Sequence, residues 1–340
     1  MYGDSAGAIT ARISESCRLM NVQLDEVVRD DDDSICAPVC AASLLTEDWA
    51  EIRLYLWRGS DGCVIVEAQR RAGDAVTSYK CIRNVLDAAG RKFDAEKYNT
   101  RKEKEKKNAG IPLELMIIVE AGCGPPISNR RKASLESLEI VAGLIRNDRM
   151  DARQLGMKSL LLLSDAMRSC PESADMASRA ILCFGGTDDN DMELLGSIGV
   201  DVFSMVLIGR VDDNKDCFED EDYNKPIYNF ALAALANALD RMQPLSASDV
   251  SALLTNCEDR WGCGLLSTLL NRLVSAKKSP HDACLLMRCL RLLCCASENA
   301  RLEVQKLNAY ETVLATCYIG RCRTARLERE ATRLLKVIEK

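Results

Sequence analysis

The sequence predicts a mainly α protein, a stack of helix pairs over residues 111–340 preceded by a small β-β-α unit. Three observations predict it. The stretch Cys289-Leu290-Arg291-Leu292-Leu293 recurs 42 residues later as Ala331-Thr332-Arg333-Leu334-Leu335. Core-like apolar positions run on from Leu138 through Leu160, Ile181, Val206, Leu235, Leu265, Leu290 and Val313 to Leu335, 21 to 30 residues apart. That is about one helix plus a connection each, and self-similarity at twice this spacing marks stacked helical repeats. The chain is also 47% hydrophobic but only 5% aromatic, which suits helix-on-helix packing better than a β-sandwich.

Residues 1–45 are small and polar around the run Asp30-Asp31-Asp32-Asp33, so a mobile acidic segment is expected, with one short element near Ile13–Val28. Over residues 46–93 the pattern changes. Ile52, Leu54 and Leu56 alternate with Arg53, Tyr55 and Trp57, a half-buried strand. Turn residues 58–62 lead to a second strand from Cys63 to Glu67, and Asp74 caps a helix that Gly90 ends. Residues 94–110 are a charged linker. Beyond Ile111 only helices are expected, interrupted by an acidic insertion at 212–224.

Composition narrows the function. A net charge of −6 gives no basic excess for neutralising phosphates, which argues against nucleic acid as the partner. Of the 17 cysteines, Cys284, Cys289, Cys294 and Cys295 share one apolar helix and are expected to be buried free thiols. With no leader peptide and no apolar run of about 20 residues, the expectation is a reduced, soluble protein of the cytoplasm or nucleus.

No catalytic constellation stands out, so no enzyme activity, cofactor or metal is expected. The one histidine, His281, follows Pro280 at a helix start. Asp212, Asn214 and Asp216 begin like a calcium loop, but Cys217 stands at its turn glycine and Tyr223 at its bidentate glutamate. Gly122-Cys123-Gly124-Pro125-Pro126 reads as a loop. Arg131-Lys132-Ala133-Ser134 matches a basophilic kinase acceptor.

The repeating pattern over residues 113–338 resembles the armadillo/HEAT superfamily. Its sharpest piece is Ala234-Leu235-Ala236-Asn237-Ala238, similar to the third-helix core of peptide-binding armadillo repeats. The resemblance implies a right-handed α-α superhelix and a non-enzymatic scaffold that binds a protein or extended peptide along its concave face. It also implies that Asn237 hydrogen-bonds the partner's backbone. The equivalent positions elsewhere are Leu292 and Leu334, so Asn237 alone fits.

One position earlier the repeats carry Ala236, Arg291 and Arg333. Tyr228 and Arg288 are expected to flank this row, and Arg326, Arg329 and Arg333 continue a basic stripe suited to an acidic partner.

The β-β-α unit resembles, more faintly, the kinase-associated C-terminal domain, through Arg70-Arg71-Ala72-Gly73 and Tyr79-Lys80-Cys81-Ile82. That resemblance implies an alternative, a membrane-peripheral regulator contacting anionic lipid through Arg70, Arg71, Lys80 and Arg83.

Overall fold

The computed structural model describes residues 4–27, 38–59, 63–100, 127–182, 189–207 and 221–339. The Asp30–Asp33 run, residues 101–110 of the charged linker, the Gly122–Pro126 loop and most of the acidic insertion lie outside these residues. Two compact units result. The first joins Met1–Arg101 to Ala276–His281 and Leu314–Thr332; the second joins Lys102–Ser275 to Asp282–Val313 and Arg333–Lys340.

The first unit is larger than the expected β-β-α. Helix α1 (Ala6–Met20) starts where Ser5 accepts a hydrogen bond from the Ala8 amide, and stops at Asn21 in the left-handed region. Strands β1 (Gln23–Val27), β2 (Cys40–Leu45), β3 (Glu51–Arg58) and β4 (Val64–Ala72) form one antiparallel sheet in the order β1-β2-β3-β4. Helix α2 (Ala75–Ala89) follows, capped by Asp74 at 2.7 Å from the Thr77 amide.

The alternation read in β3 holds, with Ile52, Leu54 and Leu56 buried against Ile9, Ile13 and Cys17 of α1 and Cys81 and Val85 of α2. The segment expected to be mobile therefore contributes a helix and two strands, a correction to the sequence reading. The two strands read at residues 52–57 and 63–67 are also joined by two more, a second correction. QLDEV and CAASLL carry little strand propensity of their own; β2 is extended because β3 supplies a partner edge, and β1 because β2 does in turn.

The first unit is discontinuous in sequence. Arg326 donates to Glu47 at 2.8 Å and its amide donates to the Asn21 side chain at 2.9 Å. Arg323 reaches the Leu24 carbonyl at 2.8 Å, and Gln23 reaches the Lys278 carbonyl at 3.2 Å. His281 Nε2 lies 3.1 Å from the Leu45 carbonyl, which calls for the tautomer with the proton on Nε2.

Burial lowers the His281 pKa below 6.5, with Arg326 adding to the effect and Leu45, Glu47 and Asp25 opposing it. A base with a depressed native pKa contributes stability that is complete above pH 6.5 and is lost as pH falls through the native value. Because this is the chain's one histidine, its imidazole proton resonances are unambiguous. An NMR titration should give a midpoint below 6.5; a midpoint at or above 6.5 would show that burial does not depress it.

In the second unit every described element is helical, as expected beyond Ile111. Helices α3 (Ile127–Ile145), α4 (Met150–Ser164), α5 (Pro171–Leu182) and α6 (Asp189–Leu207) precede the long α7 (Glu221–Arg241). Helix α7 packs against α4, α5 and α6. Its residues Ala231, Leu232, Ala234, Leu235, Ala236, Ala238 and Leu239 are all fully enclosed, so it is apolar nearly all round.

Helices α8 (Ala247–Trp261) and α9 (Leu265–Arg272) follow, then a short 3₁₀ turn. Next come α10 (Pro280–Ala296), α11 (Glu298–Lys306), α12 (Ala309–Arg323) and α13 (Ala325–Ile338). Both units contribute to α10, α12 and α13.

On α10, Cys284, Cys289 and Cys294 are buried free thiols, and burial pushes Cys289 and Cys294 up to about 12. Cys295 is exposed, contrary to expectation: it falls on the side of α10 that carries the half-buried Arg288 and Arg291, away from Leu290, Leu293 and Cys294.

Candidate partner-binding surface

Asn237 sits half-buried on α7, and its side-chain oxygen accepts from Arg288 Nη1 of α10 at 3.1 Å. The same guanidinium holds Asp240 at 2.7 Å, and the Arg288 side chain is left only 17% exposed. Arg288 therefore lies beside Asn237. Asp240, missed in the sequence, is what holds it there; it lies one helical turn after Asn237 on the same face. The Asn237 oxygen accepts from Arg288, and its amide nitrogen is the group that could donate to a ligand carbonyl.

Arg291 is half-buried, one turn beyond Arg288 on α10. On α13, Arg329 and Arg333 are exposed, whereas Arg326 is engaged with Glu47. The basic stripe is thus divided: its first member braces the first unit and its later members face solvent.

Tyr228 is misplaced by the sequence reading. It is 4% exposed, lies under Arg272 at 4.7 Å from ring centre to guanidinium, and burial pushes its phenol up to about 12. Arg272 also donates to the Leu207 carbonyl at 3.3 Å, closing the C-terminus of α6. Nine residues from Asn237 is two and a half turns, which turns Tyr228 away from that face.

Ser134 is 5% exposed and shares a 2.7 Å hydrogen bond with Ser173, so the kinase-acceptor match falls on a side chain a kinase cannot reach in the folded chain. Arg70, Arg71, Lys80 and Arg83 are all exposed. Arg70 bonds the Gly73 carbonyl at 3.1 Å and Arg71 the Tyr55 hydroxyl at 3.2 Å. Among the described residues no cluster of three metal-ligating side chains occurs, and no helix is long and apolar enough to cross a membrane.

A cleft of about 440 Å³ between α6 and α8 was not foreseen. Phe203, Leu253 and Cys257 line it with Trp261, whose ring lies 5.8 Å from that of Phe203, and Asn256 and Arg260 add polar groups.

No family model and no curated protein matches the chain. The crystal structure of an engineered protein, a structural genomics consortium target, is similar at 16% identity over 71% of this chain and 91% of that one. Its TM-score is 0.35, too low to bear on fold or function.

Proposed function

We propose that the chain is a non-enzymatic protein-interaction module. In this reading the second unit is a right-handed, armadillo-type stack, and a partner of extended, acidic character lies along the row Asn237, Arg288, Arg291 and Arg333. The observation that carries it is the 3.1 Å bond between Arg288 and Asn237. It brings α7 and α10 side by side at Asn237 and about one turn from Leu292, the position that the repeat spacing pairs with it, which supports reading them as successive long helices of a stack. Arginine suits the role because its planar fork matches a carboxylate in two hydrogen bonds.

Since Arg323 and Arg326 brace the first unit, the test uses the full chain. An array of glutamate-rich extended peptides is the probe. Binding should weaken with salt, because exposed charges are screened over about 8 Å at physiological ionic strength. Reversing Arg291 and Arg333 together to Glu should remove most of the affinity, at least about tenfold in Kd or 1.4 kcal/mol. Normal binding by that double variant, or no binding by any acidic peptide at low salt, would sink the proposal.

A further inference from the structure

Helix α2 has two unlike faces. Ser78, Cys81, Val85 and Ala88 are buried against the first unit's core. On the opposite side Val76, Tyr79 and Leu86 are 62%, 65% and 41% exposed, and Lys80 and Arg83 are exposed with them. Val76, Tyr79, Arg83 and Leu86 follow a 3-4-3 spacing, the seam by which one helix packs on another. No hydrogen bond or ion pair engages Lys80 or Arg83 among the described residues. Three large apolar groups and an unengaged guanidinium along one solvent-facing stripe are unusual for a surface helix.

We infer that this stripe is a two-fold interface at which α2 of one copy of the chain packs antiparallel on α2 of a second copy. The seam is self-complementary in that orientation alone. Centred between Tyr79 and Arg83, antiparallel packing sets Val76 against Leu86 of the second copy, and Tyr79 against Arg83 of the second copy. Each pair occurs twice, as an isologous contact demands. A guanidinium over a phenol ring is attractive, and more so once water is excluded. Parallel packing would instead stack Arg83 on Arg83.

The face is one 15-residue helix, well below the roughly 800 Å² per partner of a standard interface. The dimer is therefore reversible. Lys80 and Arg83 bring four positive charges together against the two negative charges of Asp87, so added salt, which screens the net repulsion, should tighten it.

Sedimentation velocity of the full chain over a range of concentrations should show a monomer–dimer equilibrium that shifts toward dimer with salt. Leu86→Lys should raise the dissociation constant about tenfold or more, with the melting temperature unchanged because the side chain is exposed. Tyr79→Arg should do the same by setting arginine against arginine. The exchange Tyr79→Arg with Arg83→Tyr should restore association to within about threefold, since the cross-pair is rebuilt with its members reversed.

A monomer at every concentration overturns the inference. Should the monomer float with phosphatidylserine vesicles, less so at high salt and less so for Leu86→Lys, the stripe belongs to an anionic membrane surface instead. A dimer unaffected by Leu86→Lys and Tyr79→Arg would equally overturn it, by placing the interface elsewhere.

Discussion

Gly320→Ala is expected to destabilise the chain by about 3 kcal/mol, the upper end of what overpacking costs. Gly320 lies in α12 where α13 crosses it. A methyl there would press on the Glu328 amide nitrogen, 2.8 Å from the Glu328 Cα and 3.0 Å from the Leu327 carbonyl carbon. All three are backbone atoms, so no side chain can swing away and α13 must shift.

That shift disturbs several contacts at once. The Glu328 carboxylate sits 3.4 Å from Arg321 and 3.6 Å from Arg18, and Arg326, two residues earlier, holds both Glu47 and Asn21. Gly143, inside α3, is the control: a Cβ built there meets nothing within 4 Å. Gly143→Ala should be neutral or stabilise by about 0.5–1 kcal/mol, since glycine costs entropy in a helix interior. Denaturant unfolding of both variants is the measurement. Equal effects would mean that α12 and α13 do not cross at Gly320.

Leu235→Ala should cost about 2–5 kcal/mol, the range for truncating a fully buried leucine. Leu235 is fully enclosed on α7, and the neighbouring Ala234, Ala236 and Ala238 are small because other helices press close on that side. Small neighbours cannot expand to refill the space, which favours the upper half of the range. Two positions along, Asn237→Ala should cost about 1 kcal/mol, since Arg288 keeps its bond to Asp240 and loses only a neutral acceptor. If the two substitutions cost the same, α7 is not the buried centre of its unit.

Much of this molecule is legible without coordinates. The strand over 52–56 and the long buried helices announce themselves because period 2 and period 3.6 are local properties of a chain that buries one face. The site was harder to read. Tyr228 and Arg326 share the chemistry of a binding residue, and only their neighbours, Arg272 and Glu47, give them structural work instead.

By itself, then, the sequence determined the mainly helical class, the alternation of β3 and the cysteine-rich apolar α10, since each rests on spacing along one segment. Tertiary structure alone decided that β1 and β2 exist and that Arg323 and Arg326 belong with a sheet some 300 residues away in sequence. It alone decided, too, that α2 carries an exposed apolar seam. Those outcomes depend on which surfaces meet. Weak strands form only where a partner edge supplies their hydrogen bonds, and an arginine is solvated or paired according to what the fold brings within about 4 Å of it.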